Sequence, residues 1–141
     1  MAIALVGIRD NVETALFDST NLVWSTDVID QAIRSALGII SHYYGEELTL
    51  NGLDGAAASI IEDKDGAILT NGAIAYCLEY RITDRYEEAT PDRENIYDLV
   101  KHKNEVMELF NNQLILIKKR KFELSTDSPN SEWELIEPEG Y

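Results

Sequence analysis

The residues that could do chemistry in this chain are mostly carboxylates, and their spacing decides what they can do. Glu62-Asp63-Lys64-Asp65-Gly66-Ala67-Ile68 has the outline of a calcium loop. Placing Gly66 at the sixth loop position and Ile68 at the eighth puts Ile61 and Gly72 at the first and twelfth, where carboxylate ligands are required. The alignment fails, and the segment reads as a solvated turn. The two histidines, His42 and His102, fall on separate helical segments with no cysteine close in sequence, so neither a zinc set nor a base–nucleophile pair is assembled. Cys77 lies within an apolar helical pattern, where a thiol behaves as a small hydrophobe. The pairs Glu46-Glu47, Glu62-Asp63 and Glu87-Glu88 are expected by chance in a chain with 26 acids, and general acid–base work would require a pair held in a cleft. No cofactor is implied.

Charge is the strongest compositional signal. The 26 acidic and 12 basic residues give a formal charge of −14, which excludes phosphate neutralisation by the whole surface and hence general nucleic-acid binding. Residues 1–117 carry 20 acids and 8 bases, Lys118, Lys119, Arg120 and Lys121 add four bases, and residues 122–141 hold six acids and no base. The basic run has no interleaved aromatic platform and reads as a solvated helix end favoured by the helix dipole. One cysteine excludes an internal disulfide and fits a reducing compartment. No apolar run nears the roughly 18 residues of a membrane span, and the apolar start meets Arg9-Asp10 too soon for a signal-peptide core.

The elements that must position these groups are helical. Leu5, Ile8, Val12, Ala15 and Leu16 recur at helical spacing and predict a first helix over about 2–17, broken by Asp18-Ser19-Thr20-Asn21. Ser25 caps a second helix with the core face Ile29, Ala32, Ile33, Ala36, Leu37 and Ile40, ending at Tyr44-Gly45. Within it Asp30 and Arg34 are spaced to pair. Residues 46–72 are full of turn signals: Asn51-Gly52, Asp54-Gly55, Asp65-Gly66 and Asn71-Gly72. A short helix over Ala56–Glu62 is expected here. A hairpin around Asn71-Gly72 is the alternative to a third helix over about 71–88, and the poor alternation of its flanks favours the helix. Thr90 and Pro91 open a last helix to Arg120, about 45 Å long, with the stripe Ile96, Leu99, Val100, Val106, Met107, Phe110, Leu114 and Ile117, interrupted by Lys103.

After Phe122 the periodicity stops, and Ser125–Asn130 reads as a linker. Trp133, Leu135, Ile136 and Tyr141 are apolar anchors in an acidic segment. They either dock on a partner or fold back on the chain's own helices.

The run Leu22-Val23-Trp24-Ser25-Thr26-Asp27-Val28-Ile29-Asp30-Gln31-Ala32-Ile33-Arg34-Ser35-Ala36-Leu37 resembles a pattern near the start of head–tail connector proteins of tailed phages. Ala75-Tyr76-Cys77-Leu78-Glu79-Tyr80-Arg81-Ile82-Thr83-Asp84-Arg85-Tyr86-Glu87, followed by a long helix ending in bases, is similar to their second half. The resemblance covers about residues 3–121, and the glycine-rich middle is shorter than the family's pattern. It implies a homo-oligomeric ring, often of twelve copies, in the virion neck between the portal protein and a tail-side neck protein, assembled after synthesis in the host cytoplasm. DNA would pass through without sequence-specific binding, and an acidic wall would keep the duplex from adhering.

The expectation is a mostly α fold: a three- to four-helix bundle with a long C-terminal helix (residues 1–121) and an extended acidic C-terminal tail (residues 122–141). Its role would be that of a structural adaptor and not of an enzyme. Partner or oligomer contacts are expected from Trp133, Leu135, Ile136 and Tyr141 and from Lys118, Lys119, Arg120 and Lys121. The alternative is a small acidic monomeric binding or regulatory protein that occupies a basic partner surface.

Overall fold

A computed structural model describes residues 3–18, 21, 23–86 and 93–123. Among these residues there are four α-helices, α1 (Leu5–Ala15), α2 (Thr26–Tyr44), α3 (Gly66–Tyr86) and α4 (Arg93–Glu123), with a 3₁₀ turn at Asp63–Asp65 leading into α3. The α3 helix is central and packs against α1, α2 and α4. The mostly helical expectation holds for these residues, and the only β feature among them is an isolated parallel bridge between Ala4 and Asn51.

That bridge explains why α1 starts later than its apolar period suggests. Ala4 is extended and Leu5 N–H donates to Asn51 C=O at 2.9 Å, so the first backbone groups tie down the 46–62 segment and do not begin a helix. Leu5, Ile8 and Val12 then face the core. At its other end α1 closes with two backbone bonds, Phe17 N–H to Thr14 C=O at 3.1 Å and Asp18 N–H to Glu13 C=O at 3.0 Å. This is the Schellman pattern, which places one residue in the left-handed region, usually a glycine. Here that residue is Phe17, at φ 54°.

The α2 helix follows its sequence signals closely. Ser25 Oγ accepts from Val28 N–H at 3.3 Å, Gly45 takes the left-handed cap at φ 81°, and the whole anticipated face from Ile29 to Ile40 is buried. The aromatic before the cap has a specific job. Trp24 is buried, its indole N–H donates to Cys77 C=O of α3 at 2.6 Å, and Asp18 accepts from the Val23 and Trp24 amides at 3.0 and 2.8 Å. The entry to α2 is thereby fixed to both α1 and α3.

Two local expectations are corrected. Asp30 does not pair along α2 with Arg34; it receives a two-pronged contact from Arg9 of α1, at 2.9–3.1 Å, while Arg34 reaches Asp54 at 2.7–2.8 Å. Pairing between elements prevails because the guanidinium planes meet both carboxylate oxygens there. Residues 56–62 form no helix. Ile60 N–H bonds Thr49 C=O at 2.9 Å, Thr49 Oγ1 donates to Ala58 C=O at 2.9 Å, and Ser59 Oγ links Asn51 N–H to Ile3 C=O. The two Thr49 bonds use backbone groups a helix would need, and the cross-loop bonds together allow Leu48, Leu50, Leu53 and Ile61 to enter the core.

Helix α3 begins at Gly66, ahead of the expected start, and runs through Asn71-Gly72 without a turn. Gly72 is buried at the crossing of three helices. A Cβ there would lie 2.6 Å from Phe110 Cε1 and 2.8 Å from Ala36 Cβ. On α4, Phe110, Leu114 and Ile117 are buried and Leu99, Val106 and Met107 pack at the core's edge. Thr90 and Pro91 lie outside the described residues.

Candidate functional site

The clearest cluster of ionisable groups forms where the end of α4 meets the 3₁₀ turn and the end of α2. Asp65 is 1% exposed, and Arg120 grips its carboxylate with both terminal nitrogens at 3.1 and 2.7 Å. Tyr44 Oη donates to the same carboxylate and accepts from Glu62 N–H at 3.3 Å. Lys121 binds Glu62 at 3.0 Å with its ammonium 4.1 Å from the centre of the Tyr44 ring. Burial pushes the Asp65 carboxyl up, but its bonds from Arg120 and Tyr44 outweigh that, and it is held below the usual carboxylate range. Tyr44 is raised, by burial and then by the Asp65 bond. Every oxygen of this cluster faces a donor from the same chain, so its chemistry is that of a clasp between α4 and the rest of the bundle. Arg120 Nε is buried and finds no acceptor among the described residues.

This geometry corrects two readings. The Glu62–Gly66 segment is not a solvated turn, because Asp65 is buried and ion-paired. The basic run is not uniformly a solvated helix end: Arg120 and Lys121 turn inward, and Lys118 and Lys119 are exposed. Lys118 and Lys119 thus stay exposed, while Arg120 and Lys121 are engaged internally. Trp133, Leu135, Ile136 and Tyr141 lie outside the described residues.

A groove of about 610 Å³ lies between the end of α2 and residues 46–56. Ser41 and His42 both line it, but Ser41 Oγ donates to Leu37 C=O at 2.8 Å and accepts from Leu48 N–H at 3.1 Å, which fixes it as a backbone brace. Arg34 in the wall is matched by Asp54. Cys77 is fully buried and its thiol is pushed up to about 12 by that burial, so it carries no reactive thiolate. Among the described residues no group of three or more histidine, cysteine or carboxylate side chains could hold a metal ion, and no helix is long and apolar enough to cross a membrane.

Among the described residues several large apolar side chains stay outside the bundle, Val6, Val23, Ile60 and Tyr97 singly and others at two further places. Phe17 is 95% exposed at the end of α1. On α4, Leu109, Ile115 and Leu116 point away from the buried stripe, at 47–63% exposure. Sequence periodicity missed these residues because it recognises the face that is buried in the monomer, and their only signal was apolar side chains at positions outside that face. Comparison of the chain with protein-family models, curated proteins and solved structures yields no match.

Proposed function

We propose that this protein is a structural adaptor of a tailed-phage neck, forming a homo-oligomeric ring between the portal protein and the tail through which DNA passes. The observation that carries the reading is Phe17. Holding an aromatic residue in left-handed backbone costs about 1 kcal/mol or more, and a side chain 95% exposed recovers little of that from packing on the described residues. Such a side chain gains its stabilisation when another surface covers it, as interface aromatics do. Phe17 is therefore the proposed anchor for a neighbouring subunit or the portal protein, together with the tail residues Trp133, Leu135, Ile136 and Tyr141. Lys118 and Lys119 add exposed positive charge for an acidic partner patch.

Further support comes from the charge distribution. A subunit with net charge −14 repels the duplex that would traverse its ring, and adhesion through counterion release is avoided. The resemblance of residues 3–121 to connector proteins supplies the specific role, and the exposed anchors supply its physical basis.

The test is the solution mass of the full chain by light scattering over a concentration series, with and without a portal protein. A ring, alone or formed on the portal protein, is the expected result, and both Phe17→Ser and removal of residues 123–141 should weaken it while leaving helicity intact. A wild-type chain that ignores the portal protein and instead captures a basic partner as a monomer would favour the acidic binding-protein reading.

A further inference from the structure

The outer face of α4 is self-complementary. Lys101, Glu105, Glu108, Leu109, Asn112, Ile115, Leu116, Lys119 and Glu123 are all exposed. On a wheel of about 100° per residue they fall within about 60° of Asn112. Lys101 and Glu123 stand eleven residues to either side of Asn112, and Glu105 and Lys119 stand seven to either side. Reversing the helix about Asn112 therefore exchanges a positive residue for a negative one at each of these heights. Two of the three apolar residues obey the same reversal, Leu109 three residues before Asn112 and Leu116 four after it on one flank, while Ile115 lies on the other flank.

We propose that two copies of this chain pair through α4 in antiparallel fashion, about a two-fold axis passing beside Asn112. Leu109 of each copy then packs on Leu116 of the other, Lys119 reaches Glu105 and Glu108, and Lys101 faces Glu123. A two-fold interface requires a surface complementary to itself, and this pattern meets that condition in both charge and apolarity. Parallel pairing in register would set like charges together at every one of these positions. From Lys101 to Glu123 the contact runs for about 33 Å at 1.5 Å per residue. Asn112, between Leu109 and Leu116, places its amide opposite its own copy, and a single polar residue in such a position specifies register. The inference rests on the α4 pattern alone and not on the adaptor reading.

The experiment is oxidative cross-linking of full-length Asn112→Cys, with oxidised glutathione as oxidant, beside mass measurement by light scattering. Cys77 is fully buried and does not compete. A residue at a two-fold axis meets itself, so Asn112→Cys is expected to give a disulfide-linked dimer far faster than a control cysteine at exposed Glu47. In the unmodified chain the mass should rise towards twice 15.9 kDa with concentration. Lys119→Glu should raise the dissociation constant about tenfold, and adding Glu105→Lys and Glu108→Lys should restore it. The idea is overturned by a monomeric mass at every concentration, as when the chain's own terminal segment covers the face. Cross-linking no faster than the control, or a charge swap that fails to rescue while circular dichroism is unchanged, also overturns it. A ring on the portal protein without 112–112 cross-links would remove the two-fold pairing and leave the adaptor standing. A cross-linked dimer that no portal protein engages would do the reverse.

Discussion

Replacing Gly72 by alanine probes the point where α2, α3 and α4 come closest. The new methyl would sit 2.6 and 2.7 Å from Phe110 Cε1 and Cζ and 2.8 Å from Ala36 Cβ, whereas carbon atoms rest at about 3.5–4.0 Å. Phe110 and Ala36 are both 0% exposed, so neither can swing into solvent, and one helix must move. Overpacking of this kind costs about 1–3 kcal/mol, and the upper part of that range applies where the neighbours are fixed. Alanine's better helix propensity recovers about 1 kcal/mol. The net expectation is a loss of about 2 kcal/mol, or about 6–10 °C in Tm for a domain of this size. Thermal and urea unfolding followed by circular dichroism would measure it. Adding Phe110→Leu should recover part of the loss, because a smaller side chain admits the methyl, and a coupling of about 1 kcal/mol in the double-mutant cycle is expected. A Tm equal to or above that of the parent would refute the argument, since it would mean that helix propensity governs this site and the close crossing does not.

Three other outcomes follow from the same structure. Phe17→Gly removes a left-handed aromatic that is 95% exposed, so the free chain should gain about 0.5–1 kcal/mol, and a lower Tm would show that Phe17 is held by contacts within the chain. Asp65 has a depressed folded-state pKa, so its contribution is present above the unfolded value of about 3.9 and is lost as pH falls through the folded one. Urea midpoints between pH 6 and 3 should therefore fall more steeply for the parent than for Asp65→Asn, and equal slopes would exclude Asp65 as a source of acid sensitivity. Cys77, fully buried and pushed up to about 12, should react with a thiol reagent at pH 8 only as fast as the bundle opens, and rapid labelling under native conditions would contradict the packing of α3.

The sequence by itself determined α2 almost completely. Serine at the cap, glycine in the left-handed position and six apolar residues at helical spacing are local or single-face signals, and each acts in the structure as its chemistry dictates. The presence of α1, α3 and α4 was legible for the same reason, with the start of α1 displaced by the bond of Leu5 to Asn51 and that of α3 lying back at Gly66. Asn71-Gly72 carried a turn signal, and the closeness of Phe110 and Ala36 gives the glycine a different purpose. A residue without a side chain has one local signature whether it bends a chain or admits a neighbouring helix. The helix expected over residues 56–62 lost its backbone partners to Thr49, which takes Ile60 N–H and Ala58 C=O, and to Gly52, which takes Ala56 C=O, while the Ser59 hydroxyl is tied to Asn51 and Ile3.

Only the tertiary structure decided the fate of the charges. Asp65 and Arg120 are separated by 55 residues, and no spacing rule links a carboxylate in an acidic turn to one base among four at a helix end. Antiparallel packing of α4 on α3 brings them together, and burial makes the pairing obligatory, since Asp65 alone in that position would be a desolvated, unpaired charge. The same packing assigned Arg120 and Lys121 to the interior and left Lys118 and Lys119 outside. It also separated the apolar residues of α4 into a buried stripe and an exposed one, a division that periodicity cannot make because it depends on which side of the helix meets α3.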